Sequence, residues 1–387
     1  MLGWLNMLQR ALRSTIECAG RTVLLGCALA LVCACAQADS CPAISSRTVE
    51  PAVVETSAEV LSSTPGIAQL LVSDGALYWH DGAAISSLLP GQAQASVLYA
   101  LAQETAAAAA PFGSEQRAIT GLLADADHLY WSEGSYYTGG FVLGYSPPGR
   151  LLSMPKAGGP VQVLLDLPDR AVTPVAIDDA SVIVQTSGAA PGYYRFSKLD
   201  QALAPLVTPA LYETSRVIGD KVYWTEPGVD NPQLFRSSIE ATERESIARI
   251  ESGDYDVGPG YVLWRHDRLL TEPELLLEQN FVIWRADSGC VQALPGSGES
   301  ISYATARDGR YVYWHSFNAL GSVSQSSEGV ATPLPEMPLE RLDLNNGRLE
   351  RLEASGFRFI VGDQILGLDG DRLFVATQAG LVAVRTP

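Results

Sequence analysis

Positive charge is scarce in this chain: 26 Lys and Arg face 43 Asp and Glu, a formal net charge of −17. Without residues 1–38, which hold Arg10, Arg13, Arg21 and Glu17, the balance is −19. Such a surface repels phosphate backbones, so no nucleic-acid partner is expected. The acidity reads as a solvated, soluble surface, with a cation-binding face as the sharper alternative. Histidine is rarer still, with four in 387 residues, and no His-x-Glu or paired-His spacing marks a metal site. No Gly-x-Ser-x-Gly elbow, phosphate loop or cysteine with a local histidine signature is present, and Gly296-Ser297-Gly298 reads as a turn. No catalytic residue is therefore assigned.

Long apolar runs are also missing. Residues 22–32 form one short run after Arg10, Arg13 and Arg21. It is too short to span a bilayer with margin but suits the apolar core of an export signal. Residues 1–38 are read as that signal. Ala36-Gln37-Ala38 fits cleavage before Asp39, while Val32-Cys33-Ala34-Cys35 resembles a lipobox that would acylate Cys35. Both routes stay open. They place the chain in the periplasm, on the outer membrane through a lipid anchor, or outside the cell. Of six cysteines, Cys18, Cys27 and Cys33 fall in the signal and Cys35 at its edge. Cys41 and Cys290 remain as a candidate disulfide in an oxidising compartment.

Abundant turn residues and a repeat fill the rest. Apolar residues make up 47%, with 35 glycines and 23 prolines along the whole length, as expected of many short strands. One triplet recurs after an Asp- or Gly-marked turn: Leu77-Tyr78-Trp79, Leu129-Tyr130-Trp131, Val222-Tyr223-Trp224, Val262-Leu263-Trp264 and Val312-Tyr313-Trp314. Val182-Ile183-Val184 and Leu373-Phe374-Val375 are weaker copies. Five of the seven tryptophans share one repeat position. Further strands follow most copies, among them residues 150–155, 193–197, 233–237, 281–285 and 321–324. The triplets do not alternate apolar with polar, so both strand faces must be covered. This places them on the innermost strand of each unit.

Four short strands per unit define an all-β propeller of about seven blades, with six as the alternative count. Residues 39–60 are expected to contribute a closing strand and residues 61–387 to form the propeller. The last copy owns only two strands in this reading, so N-terminal strands at residues 49–55 and 67–72 are expected to complete that blade. Residues 333–356 read as an insertion before it. A surface loop or short helical turn over residues 104–111 and the long hairpin over residues 136–149 are the other irregularities.

Tyr223-Trp224-Thr225-Glu226 and Tyr130-Trp131-Ser132-Glu133 resemble the YWTD, NHL and TolB-like propeller repeats. The unit also resembles exported bacterial propellers with a Pro-Lys-x-Gly-Gly turn, here Met154-Pro155-Lys156-Ala157-Gly158-Gly159. The resemblance covers roughly residues 60–387. It implies a module that binds proteins, peptides or sugars, some members being hydrolytic, and it favours six blades.

His80 and His315 each follow a triplet, His266 lies two after Trp264, and Asp81 adjoins His80. These four are the candidate ligand-binding residues, set against plain packing at strand ends. Asp74, Asp125, Asp127, Asp179, Asp220, Asp308 and Asp371 precede the triplets, where Asp caps turns; an acidic channel rim is the alternative. No cofactor is expected, Ca²⁺ being the cation to consider. The expected activity is binding or scaffolding of a protein or small molecule on one face of a monomer. A lyase or hydrolase of sugars or lactones at the channel mouth is the alternative.

One expectation is directly measurable. Material made in its native host should begin at Cys35 or Asp39, with a diacyl or triacyl mass selecting Cys35. An intact mass that retains Met1 would refute both routes.

Overall fold

A computed structural model describes residues 52–102, 114–138, 145–206, 216–226, 231–238, 243–250, 255–258, 260–270, 276–286, 289–293, 306–307, 310–315, 338–343, 348–360 and 363–387. The chain separates into Met1–Ala43, outside the described residues, and Ile44–Pro387, which carries all that follows.

Every element in the described residues is a strand except for turns and single bridges. The strands form five four-stranded sheets and one eight-stranded sheet. In chain order, sheet one runs Gln69–Ser73, Ala76–His80, Ala84–Leu88, Ser96–Ala100, and sheet two Ser114–Ala124, His128–Thr138, Tyr145–Pro155, Gln162–Leu167. Sheet three is Arg170–Ile177, Ser181–Gly188, Gly192–Ser197, Leu203–Pro205, and sheet four Arg216–Ile218, Lys221–Glu226, Gln233–Ser238, Glu245–Arg249. Sheet five is Tyr255–Gly258, Tyr261–Leu270, Leu276–Arg285, Val291–Ala293. The eight-stranded sheet has two halves. We call Ala306–Arg307, Tyr311–His315, Leu339–Asp343, Leu349–Ser355 sheet six, and Gln364–Asp369, Arg372–Thr377, Gly380–Arg385 sheet seven.

Ala52–Ser62 joins those halves. Its first six residues pair parallel with Leu349–Ser355, from Ala52 opposite Glu350 to Ser57 opposite Ser355. From Ala58 it pairs antiparallel with Gly380–Arg385 as the fourth strand of sheet seven. The Thr56 hydroxyl donates to the Arg385 carbonyl. Gly380, at φ +124, has no room for a Cβ because the Ser62 carbonyl occupies that place. One N-terminal strand therefore completes the last sheet, not two: Gln364–Asp369 was missed as its first strand, and residues 67–72 start sheet one.

The triplets explain how the sheets hold together. Side chains alternate across a strand, and here both faces are buried. Leu77 and Trp79 pack against sheet seven while Tyr78 packs against sheet two. Leu129 and Trp131 face sheet one, and Tyr130 faces sheet three. The same division recurs in Val182, Val184 and Ile183, in Val222, Trp224 and Tyr223, and in Val262, Trp264 and Leu263. It continues in Val312, Trp314 and Tyr313, and ends with Leu373, Val375 and Phe374. Seven apolar layers among the described residues thus link each sheet to the next and sheet seven back to sheet one. This is a β-propeller.

The triplet strand is the second of each sheet, not the innermost. First strands touch their neighbours from sheet one through sheet five and from sheet six through sheet seven back to sheet one, where Gln69–Ser73 meets both Ser114–Ala124 and Gln364–Asp369. A second strand is flanked by strands on both edges and by sheets on both faces, which accounts for its complete burial. Residues 339–355 are likewise no insertion but the third and fourth strands of sheet six. Residues 321–324, expected as the strand after the Val312 triplet, and residues 104–111 lie outside the described residues.

Deleting Ala52–Ser62 should lower the melting temperature well below that of the parent, because it opens the ring and exposes two strand edges. An unchanged melting temperature would contradict this closure.

Candidate functional site

Each second strand begins at a turn and ends at the opposite rim. The turn rim holds the repeated aspartates, and it is structural. Asp125 Oδ1 accepts from the backbone N–H of Asp127 at 2.9 Å and of His128 at 2.8 Å. Its Oδ2 accepts from the Tyr130 hydroxyl at 2.7 Å and from Lys198 Nζ at 2.8 Å. Burial would raise this carboxyl, yet Lys198, Tyr130 and the two backbone donors outweigh it and hold it well below the usual carboxylate range. Lys156, from the Pro-Lys turn of sheet two, reaches Asp74 Oδ2 and Ser73 Oγ of sheet one, both at 2.8 Å. In sheet three the capping residue is Asp178, which accepts from Ala180 and Ser181; Asp179, the residue expected, does not hold that place. Asp74 and Asp125 each pair with a lysine of the next sheet. Asp308 lies outside the described residues.

The other rim collects the residues that follow the triplets. His80 is buried, and its Nδ1 accepts from the Gly82 N–H at 3.2 Å. Asp81 Oδ1 accepts from Ala83 and Ala84 at 2.9 and 2.7 Å. The Gly82 carbonyl in turn accepts from Ile119 of sheet two at 2.8 Å. His80 and Asp81 therefore shape a turn that docks on the neighbouring sheet. Burial, partly opposed by Asp81, lowers the His80 pKa to about 4. His315 is fully buried elsewhere, with its ring 5.1 Å from that of Phe359 in the layer between sheets six and seven. His266 stands opposite Asn280 in a long hairpin of sheet five. No group of three or more His, Cys, Asp or Glu among the described residues could hold a metal ion.

A more concentrated polar group went unrecognised in the sequence. Glu133, 3% exposed, accepts from Arg117 at 2.5 Å and from the hydroxyl of Tyr99 in sheet one. Burial and this carboxylate push Tyr99 up to about 12. The Tyr99 ring lies 5.0 Å from Trp131. Arg150, opposite Glu133 in the ladder, bonds Asp166 at 3.1 Å. Glu226 holds the matching place in sheet four, accepting from Trp224 Nε1 at 3.1 Å and pairing with Arg244 at 2.6 Å. The signal was legible as an acid two residues after Trp, but its partners come from other strands.

Beside Glu133, sheet two outgrows its neighbours. Its first three strands reach eleven residues each, against five in sheet one. The extension sets Tyr136 opposite Tyr145 and Gln116, and Tyr137 opposite Glu115. Cys290 is disulfide-bonded, while Cys41 and the acylation candidate Cys35 lie outside the described residues.

No family model matches this chain, and no curated protein does. Solved structures with similar folds include the β-propeller domain of the trilobed protease from Pyrococcus furiosus: TM-score 0.43, 8% identity, 66% of this chain and 77% of that one. TolB from Acinetobacter baumannii gives a TM-score of 0.36 at 10% identity over 68% and 78%. A nidogen/laminin complex gives 0.40 at 14% identity over 74% and 92%. At these distances the likeness concerns the fold alone.

The His80 shift predicts a pH dependence. Its folded pKa lies below the unfolded value of 6.5, so its contribution is whole above pH 6.5 and is lost as pH falls towards 4, on the order of 3 kcal/mol in all. Urea unfolding of the parent and of His80→Gln should diverge between pH 7 and 4.5, the variant losing less. Parallel curves would contradict it.

Proposed function

We propose that this protein is an exported, cell-envelope propeller of seven blades that binds a protein or small-molecule ligand on the rim where the second strands end. The extension of sheet two is the observation that carries this reading. Loops and hairpins on a rigid scaffold are where binding is built, and this one adds paired tyrosines beside the Glu133 ion pair. Aromatic rings with a polar end suit a contact surface. The leader-like residues 1–38 support export, and the seven successive apolar layers support the count of seven. Binding is favoured over catalysis because His80, Asp81, Glu133 and Glu226 each already serve a partner within the fold.

A photo-crosslinking side chain placed at Tyr137, with one at Val97 as control, tests the site in an export-competent host. Val97 is 66% exposed on the outer strand of sheet one. A discrete adduct is expected from position 137 of a processed, envelope-associated chain, and none from 97. Equal labelling at both positions overturns the site, and a cytosolic chain retaining Met1 overturns export.

A further inference from the structure

Trp131 and Glu133 stand two residues apart on the second strand of sheet two, on the face turned to sheet one. The Trp131 indole is fully buried, and its Nε1 meets no acceptor. Buried donors are normally paired. Sheet four carries the same Trp and Glu, and there the pair is made: Trp224 Nε1 donates to Glu226 Oε1 at 3.1 Å, which Arg244 also reaches at 2.6 Å. In sheet two Glu133 is instead engaged by Arg117 and by the Tyr99 hydroxyl. Burial and Glu133 raise the Tyr99 hydroxyl while Arg117 and Arg150 oppose the rise, so both guanidiniums act on that oxygen. The Arg117 and Arg150 side chains are 31% and 42% exposed, whereas Glu133 is buried.

We propose that Arg117, Arg150 and Tyr99 receive the carboxylate of a small ligand, and that Glu133 then turns to Trp131 Nε1. In the unliganded protein Glu133 stands in for that carboxylate, holding Arg117 and Tyr99 in place and masking them. The sheet-four pair shows that a Glu two residues after Trp reaches the indole from this strand position. The ligand therefore exchanges one ion pair for another and supplies an acceptor to a buried donor that lacked one. Arg suits a carboxylate because its planar fork matches the two oxygens. Arg150 bonds Asp166 at 3.1 Å, an exposed pair of small worth that yields to a ligand. A formal charge of −17 repels a polyanion at long range, so the ligand carries a single carboxylate. This inference names the ligand class for the rim where the second strands end, and it rests on that reading.

Titration of the full mature chain with sodium acetate, at an ionic strength held constant with NaCl, tests it through the indole N–H signals of ¹⁵N-tryptophan-labelled protein. Trp131→Phe assigns the signal. The Trp131 signal should move downfield to saturation and its hydrogen exchange should slow. Trp79 Nε1 also meets no acceptor, but Asp81 beside it is held by its turn, so that signal should stay in place. Glu133→Gln removes the internal competitor and should bind acetate about tenfold more tightly, which a merely structural role would not give. Arg117→Gln should weaken binding about tenfold, and Tyr99→Phe should weaken it with less disturbance of the fold. An unmoved Trp131 signal, equal affinity in parent and Glu133→Gln, or a response to tetraglutamate but not to acetate would each overturn the proposal. A crosslink from position 137 without an acetate response overturns this inference and leaves the rim reading standing. An acetate response without that crosslink supports the carboxylate site and overturns the extension of sheet two as the contact surface.

Discussion

The double burial of seven second strands sets the terms for the rest of this molecule. Each contributes a triplet whose outer residues pack back onto the preceding sheet and whose middle residue packs forward onto the next. A strand that buries both faces has no polar side to offer, so each sheet depends on two neighbours and the array must close on itself. Closure falls to Ala52–Ser62, which leaves sheet six midway and finishes sheet seven. At similar depth, Trp79, Trp131, Trp224 and Trp314 fill equivalent places in four layers.

Charged groups are fitted around that constraint. On the turn rim, Lys156 and Lys198 cross from one sheet to an aspartate of the sheet before it. In sheet six, two Leu-Glu-Arg-Leu strands lie antiparallel, so that Arg341 bonds Glu350 at 2.7 Å and Arg351 bonds Glu340 at 3.1 Å. Removing one partner of such a buried pair would leave the other uncompensated, which is the costly change. Beyond the ring, the first three strands of sheet two reach eleven residues each.

The triplets were legible because burial on two faces abolishes alternation, and even Val182 and Leu373, which lack the aromatic pair, proved equivalent. Their rank within the sheet was not legible. A run covered on both faces looks the same in sequence whether its edge meets a channel or another strand, so the second strand was taken for the first. Leu339-Glu340-Arg341-Leu342 and Leu349-Glu350-Arg351-Leu352 read as a solvated insertion because charge usually marks solvent. Here each charge is neutralised across the ladder. Asp178 was displaced by one residue to Asp179, since either can precede the turn. Of the site, the buried Glu133 was visible as a letter of the repeat, while Arg117 reaches it from the strand before and Tyr99 from the neighbouring sheet.

The central claim is that equivalent layers bind the sheets into one cooperative ring. Equilibrium unfolding of single Trp→Ala variants at Trp79, Trp131, Trp224 and Trp314 tests it most directly. The account predicts a loss of about 3–5 kcal/mol at each position, with one transition that coincides for all probes. A loss below about 1 kcal/mol at any of the four, or a separate transition for part of the chain, would contradict it.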